Sequence, residues 1–140
     1  MSRKGWRYPV RPTPWPELRA WYHTVIDDYP DFWYLIEIVR SIETSGVADR
    51  LGAFTSMYDL RVAIPPFDEV PVEVICVGDP LNVSVPQVPG SARICFLGHA
   101  GLVGDVVCSP GEAVPIFWRF VREQFGLERG AGWSSAQWRA

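Results

Sequence analysis

The first part of the chain has apolar residues at the spacing of a helix. Between Thr13 and Tyr29 they recur every three or four positions, with acidic and polar residues between them. Thr13 is a suitable N-cap and Pro14 fits the first helical position, so a helix is predicted to begin near Thr13. One face of the helix would consist of the aromatic and aliphatic residues of this segment: Trp15, Leu18, Trp21, Tyr22, Val25, Ile26 and Tyr29.

A second helix is predicted over residues 31–44, because Pro30 ends the first helix and helical spacing then resumes. Gly46 would cap its C-terminus. The apolar residues also alternate within Leu35–Ile42, so a strand remains the alternative for this segment. The core stripe of the helix would be Phe32, Leu35, Ile36, Val39 and Ile42.

After residue 50 the apolar period changes to two, which is the period of a β-strand. Five strands are predicted, at residues 51–56, 59–64, 70–77, 92–98 and 104–108. The third is apolar on nearly both faces apart from Glu73, so it should lie in the middle of the sheet. His99–Val103 would be the last turn. The 14-residue connection 78–91, which has three prolines, would be either an ordered binding loop or a mobile one.

The segment 109–126 predicts a capped amphipathic helix. Ser109 and Glu112 have the spacing of a capping box, and Gly126 stands where a left-handed C-cap would be. Apolar residues cover roughly half of its circumference, so we expect it to pack between the sheet and the first two helices. Pro115 would remove a hydrogen bond in the second turn and could move the start one or two residues later.

The resulting order, α-α-β-β-β-β-β-α, predicts an α+β fold. Short links between strands favour a five-stranded, mostly antiparallel meander, with two N-terminal helices and one C-terminal helix packed on it. A chain of 140 residues suits one domain. We therefore divide it into a basic flexible arm at residues 1–12, a single α+β domain at 13–127 and a C-terminal tail at 128–140.

Charge is distributed unevenly along the chain. The formal charge is −3, but residues 1–12 hold four bases and no acid, which leaves nine bases against sixteen acids, or −7, in the remainder. An acidic body disfavours nucleic-acid binding and suits a basic protein partner. Trp6 and Tyr8 in the basic arm keep a nucleic-acid alternative open, because bases stack on aromatic rings.

The N-terminal charges are not followed by an apolar segment, and no apolar run approaches the roughly 18 residues that span a bilayer. The three cysteines, Cys76, Cys95 and Cys108, are an odd number without CxxC spacing. We expect reduced, buried thiols in a cytoplasmic protein that does not contact a membrane.

Cys95 and His99 are the candidate catalytic pair, with Asp105 across the turn as the group that would orient the imidazole. They would make the protein a small Cys/His-dependent hydrolase or transferase. Residues four apart on a strand lie about 13 Å apart, however, so we keep this activity only as the alternative function. A metal site from the cysteines with His23 and His99 matches no zinc spacing, and we expect neither a metal nor a cofactor.

Acidic residues beside aromatic ones give the candidate binding surface. Such patches steer and anchor a basic protein partner, whereas solvated loops are the simpler interpretation. One group lies at the link between the helices and the other at the entry to the third strand. The candidate residues are Asp27, Asp28, Asp31, Trp33, Tyr34, Asp68, Glu69 and Glu73.

Two segments carry a resemblance to a known class of proteins. ADRLGAFTSMYDLRV at 48–62 and SPGEAVPIFWRFVREQFG at 109–126 look like parts of small single-domain bacterial proteins, some of which resemble immunity proteins of polymorphic or contact-dependent toxin systems. The resemblance implies a small, acidic, non-enzymatic α+β protein that occludes a toxin. It transfers no functional residue to this sequence. A homodimer is the other partner left open.

Overall fold

The computed structural model describes residues 12–56, 58–65, 67, 73–78 and 90–129. Its α-helices are α1 (Trp15–Asp28), α2 (Trp33–Glu43) and α3 (Ala113–Phe120). Its strands are β1 (Gly52–Ser56), β2 (Asp59–Ala63), β3 (Val74–Val77), β4 (Ala92–Gly98) and β5 (Gly101–Cys108). Short 3-10 turns occur at Pro30–Phe32, Ala48–Arg50 and Pro110–Glu112. The predicted arm except Pro12, the tail beyond residue 129 and positions 79–89 of the long connection lie outside the described residues.

The strands form one sheet in the order β1-β2-β3-β4-β5, and every neighbouring pair is antiparallel. The predicted α+β fold and its meander are therefore confirmed. β3 pairs with β2 on one side and β4 on the other, and all four of its residues are buried. Its central position was expected from its apolar sequence, since a strand covered on both faces has no polar side to expose.

Helix α1 begins at Trp15, slightly later than its predicted start near Thr13. Pro14 occupies the N-cap position, and its carbonyl accepts the N–H of Leu18. Thr13 is instead held by β1, because its N–H donates to the carbonyl of Ala53 at 2.7 Å. Pro16 lies in the first turn, where a helix tolerates proline because the first N–H groups have no partner within the helix.

The segment at 33–43 is a helix, which excludes the strand alternative. Every residue of its predicted core stripe is buried. Gly46, just beyond its end, has φ +85°, so a glycine is well suited to this turn. The helical period therefore decided this segment, although the shorter alternation within it was also compatible with a strand.

The last helical segment has three parts. A 3-10 turn at Pro110–Glu112 leads into α3, and a wider π turn at Val121–Phe125 ends at Gly126 with φ +68°, the predicted left-handed cap. The predicted capping box is wrong in detail: the Ser109 hydroxyl donates to Glu112 Oε1 at 2.7 Å, and neither side chain caps the backbone. Pro115 lies in the first turn of α3, where its missing N–H costs nothing.

Helix α3 contacts both β4 and α2, as its wide apolar arc predicted. The indole Nε1 of Trp118 donates to the hydroxyl of Ser41 on α2 at 2.9 Å, and both residues are buried. The main core lies between the helices and one face of the sheet. The strands contribute to it alternate residues: Leu60, Val62, Ile75, Val77, Ile94 and Phe96.

The glycine-rich segment 98–104 forms a tight hairpin and a bulge. Gly98 pairs with Gly101, so β5 begins three residues earlier than predicted. Gly104 has φ +70° and is the extra residue where the register shifts opposite Cys95 and Phe96. A glycine at positive φ is the usual residue of such a bulge. The bulge places Asp105 opposite Cys95.

Candidate functional site

The link between α1 and α2 forms an exposed corner that we call the acidic–aromatic corner. It consists of Asp27, Asp28, Tyr29, Asp31 and Trp33, all of them exposed. The ring of Trp33 is 44% exposed and that of Tyr29 is 39% exposed. Three of the predicted binding residues that carry a negative charge thus lie within five positions of one another.

Aromatic packing fixes this corner on the body of the protein. Phe32 is buried, and its ring stacks on Tyr29 with centroids 5.7 Å apart. Tyr58, in the turn between β1 and β2, contacts both rings at 5.0 and 5.9 Å. Trp21, 36% exposed, stacks on Tyr58 from α1. The exposed rings of Tyr29 and Trp21 are therefore held in place and would lose little conformational freedom on binding.

The charges of the corner are uncompensated within the described residues. Asp27, Asp28 and Asp31 form no ion pair there, and Trp33 makes no contact with another aromatic ring. Asp27 and Asp28 also occupy the last turn of α1, which has no basic residue. Carboxylates at that end oppose the helix dipole, at a cost of about 0.3–1 kcal/mol each. Folding stability therefore does not explain these two aspartates.

Two of the predicted binding residues do not belong to this corner. Tyr34 is 1% exposed, and its hydroxyl donates to the carbonyl of Gly78 at 2.7 Å. Its inclusion in a surface was wrong because α2 is covered on more than its predicted stripe. Glu73 comes directly before β3. Leu60 pairs with Val77, so the other end of β3, where Glu73 lies, is the end away from the turn that contains Tyr58. Asp68 and Glu69 lie outside the described residues.

The structure does not bring the candidate catalytic residues together. His99 is exposed; its backbone N–H donates to Glu73 Oε2 at 3.0 Å, and its Nε2 lies 3.7 Å from Oε1. Asp105 accepts two hydrogen bonds from Arg93, at 2.7 and 2.8 Å. Cys95 pairs with Cys76. Thiol, imidazole and carboxylate thus each have another partner. The described residues also contain no group of three or more His, Cys, Asp or Glu side chains that could hold a metal ion.

A polar row crosses the sheet on the face opposite the main core. Arg61, Cys76, Cys95 and Asp105 lie opposite one another on β2, β3, β4 and β5, and we call them the arginine–cysteine row. Arg93 lies beside it on the same face of β4, two residues from Cys95. The row adjoins a second, smaller core of Phe54, Ala63, Phe67, Val74 and the two cysteines.

Hydrogen bonds connect the row in this buried environment. Arg61 donates from Nη1 to Cys76 Sγ at 2.9 Å and from Nη2 to Asp59 at 2.7 Å. Cys76 is 4% exposed and Cys95 is 9% exposed. A hydrogen bond from the Cys76 thiol lowers the pKa of Cys95, and Arg93 and Arg61 lower it further, against the effects of burial and Asp105. The same bond, together with burial, raises the pKa of Cys76. Of the two thiols, Cys95 is therefore the one that ionises more readily.

No direct sign of this row is visible in the sequence. The sequence predicts reduced, buried thiols; burial is confirmed for Cys76 and Cys95, whereas Cys108 is half-buried. The two cysteines are 19 positions apart, and Arg61 is 15 positions from Cys76. Only the register of three strands places them side by side. The alternation of Arg61 and Arg93 with apolar neighbours was the one available signal, since a charged residue within a covered strand needs a partner.

No helix among the described residues is both long and apolar enough to cross a membrane. No protein-family model, curated protein or solved structure matches this chain.

Proposed function

We propose that this protein is a non-enzymatic binding domain whose acidic–aromatic corner docks onto a basic surface of another protein. The observation that carries the proposal is the placement of three exposed aspartates beside the exposed rings of Trp33 and Tyr29. Unpaired carboxylates attract a basic partner over a distance of about one Debye length, roughly 8 Å at physiological salt. The ring of Tyr29, packed against Phe32 and Tyr58, then supplies contact area at a low entropic cost, and the ring of Trp33 adds further contact area.

The positions of Asp27 and Asp28 add a second argument. Both oppose the dipole of α1, and a base at either position would stabilise the helix. Residues that lower folding stability without a structural role often serve a function instead. A cationic partner would remove this penalty on binding, so part of the binding free energy would come from relief of repulsion already present in the free protein.

The most concrete form of the proposal is an immunity-type protein in the bacterial cytoplasm. Such a protein would occlude a basic toxin by covering its working surface, without chemistry of its own. The resemblance of segments 48–62 and 109–126 to such proteins supports this form, as does the acidic body of the chain. Binding by charge and shape needs no convergent set of catalytic side chains.

The test is an association assay with the purified products of neighbouring genes, in a series of salt concentrations. We expect one product to bind, and the triple variant Asp27→Asn/Asp28→Asn/Asp31→Asn to lower its association rate about tenfold at low salt. The difference should shrink as salt rises, because screening removes the steering. Trp33→Ala should instead raise the dissociation rate about 30-fold, the equivalent of roughly 2 kcal/mol.

A matched control uses exposed acids elsewhere: Glu17→Gln/Glu123→Gln/Glu128→Gln removes the same number of charges outside the corner. If this control slows association as much as the corner variant does, net charge and not the corner is responsible. Absence of a complex with every neighbouring product would count against the proposal as a whole. The protein alone, run in the same buffer on a sizing column, tests the homodimer that the sequence left open.

A further inference from the structure

The two buried cysteines of the arginine–cysteine row are placed so that they can form a disulfide. Cys76 and Cys95 are direct partners in the antiparallel ladder of β3 and β4. The Cα atoms of such partners are about 4.5 or 5.5 Å apart, depending on their position in the ladder. Disulfides form over roughly 4.4–6.8 Å, so the bond requires little movement of the backbone.

An arginine lies on each side of the pair, and its positive charge favours a thiolate over a thiol. The guanidinium of Arg61 contacts Cys76 from β2, and that of Arg93 lies beside Cys95 on β4. Asp59 and Asp105 partly neutralise these bases. Nη1 of Arg93 is nevertheless buried and has no hydrogen-bond acceptor among the described residues. A spare buried donor can stabilise a thiolate or the negative charge of a leaving oxygen.

We propose that Cys76 and Cys95 form a reversible dithiol–disulfide site that is oxidised by hydroperoxides. Cys95 is the attacking thiol, because it is the less buried of the two and lies two residues from Arg93 on the same face of β4; its pKa is also the lower of the pair. The arginine beside it stabilises the charge that moves onto the peroxide oxygen. Hydrogen peroxide is the simplest oxidant of this class, and its small, uncharged molecule suits a thiol that is 9% exposed.

The chemistry takes place in two balanced steps. The thiolate of Cys95 attacks one peroxide oxygen; an S–O bond forms, the O–O bond breaks, and the leaving hydroxide takes a proton from solvent to become water. Cys95 is then a sulfenic acid. The sulfur of Cys76 attacks it; the S–S bond forms, the S–O bond breaks, and the departing hydroxide takes the proton of Cys76 as a second water. The thiols lose two electrons and the peroxide gains them.

The site returns to its reduced form by thiol–disulfide exchange with an external dithiol, which becomes the disulfide in turn. The opposing interpretation is that both cysteines only fill space in the smaller core. Cys108 distinguishes the two interpretations. It is more exposed than the pair but does not belong to the row, and burial and Glu112 raise its pKa. Exposure alone would make Cys108 react first, whereas the row predicts that the buried pair does.

The test treats the reduced, folded protein with a small molar excess of hydrogen peroxide near pH 7. Samples are quenched in guanidinium chloride with an alkylating reagent and digested for mass spectrometry. We expect a peptide pair joined through Cys76 and Cys95 and a mass loss of two hydrogens, with dithiothreitol restoring both thiols. The free thiols of Cys76 and Cys95 should disappear at least ten times faster than the free thiol of Cys108. Oxidation of Cys108 at an equal or higher rate, or no Cys76–Cys95 bond, would overturn the proposal.

Three variants assign the roles. In Cys76→Ser the sulfenic acid at Cys95 should persist and be trapped by a cyclic dione, whereas in Cys95→Ser the remaining Cys76 should react at least tenfold more slowly. Arg93→Gln should slow the wild-type reaction about tenfold without changing its product. Arg19→Gln, which removes an arginine paired with Glu43 away from the row, should not change the rate. Circular dichroism checks that Arg93→Gln and the wild type are both folded. If the two folded proteins react at equal rates, the guanidinium of Arg93 has no role in the reaction.

Discussion

The two faces of the sheet are built from the same strands and are stabilised in different ways. On the face that meets the helices, residues such as Leu60, Ile75 and Ile94 are buried among other apolar side chains. On the other face, Arg61 and Cys76 are buried in a row of hydrogen bonds and ion pairs. Apolar burial is additive and tolerant of small changes in shape, whereas each polar group in a buried row depends on its partner.

This difference predicts two kinds of failure. Removing an apolar side chain from the helix-covered face should leave a cavity. Only a second substitution that refills the cavity should restore the lost stability. Removing one partner from the polar row should leave a buried charge, and removal of the other partner should then restore much of the loss. The following substitutions test that contrast, in order of the size of the expected effect.

The largest effect is expected for Phe117→Ala on α3. Phe117 is fully buried in the main core, with its ring against that of Trp118 at 5.6 Å. The lost transfer free energy and the cavity together should lower the free energy of unfolding by about 4 kcal/mol. Urea unfolding followed by circular dichroism measures it. Phe117→Leu, which leaves a smaller cavity, should cost less than half as much; similar costs for the two would show that the cavity is not the cause.

Arg61→Met should lower the free energy of unfolding by about 3 kcal/mol, because it leaves the carboxylate of Asp59 buried without that guanidinium. The double variant Arg61→Met/Asp59→Leu should recover at least half of this loss. The same urea titration compares the two. The titration also includes Asp59→Leu alone. If the loss of unfolding free energy in the double variant equals the sum of the losses in the two single variants, paired charges do not hold the row.

Gly104→Ala should cost about 1–2 kcal/mol. An alanine at φ +70° is strained, and its Cβ would lie 3.0 Å from the ring of Phe120. Gly111→Ala is the matched control, because its Cβ would meet nothing within 4 Å and its φ is not positive. Thermal unfolding should separate the two variants by several degrees. A stable Gly104→Ala protein would mean that the bulge can rearrange.

The smallest change is a shift in titration. Because the pKa of Cys95 is lowered, the absorbance of the first thiolate near 240 nm should rise at a lower pH than that of an ordinary thiol. Cys76→Ala removes the hydrogen bond that is the main cause of the lowering, so the step should move to higher pH. Asp59, Arg61, Arg93 and Asp105 remain in both proteins. If the titration step does not move, the lowered pKa of Cys95 is due to the arginines alone.

Most of the helix-covered face could be predicted from the sequence, because periodicity alone determines which residues face a core. The stripe of α2 and the central place of β3 followed from local patterns. The errors in this part were local as well. Thr13 is held by β1 and not by its own helix, and the Ser109 hydroxyl turns to a carboxylate in place of a backbone N–H. Both depend on neighbours that a local pattern does not contain.

The row on the other face could not be predicted, because it depends on register. A shift of one residue in β3 would have turned Cys76 toward the helices, and the bulge at Gly104 decides what lies opposite Cys95. Tyr34 was misplaced for a related reason, since its partner is a carbonyl 44 positions away. Chemistry that arises between strands is visible only after the strands have been aligned.

The hydrogen bond from Trp118 to Ser41 joins positions 77 residues apart, and this separation has a kinetic consequence. The two N-terminal helices and the meander are built from contacts between neighbours in the chain, which form early in folding. The contact of α2 with α3 closes the longest loop among these contacts. During synthesis, the side of α2 that meets α3 stays uncovered until residue 118 has left the ribosome. We therefore expect chains that are truncated or stalled before α3 to be the species that aggregates.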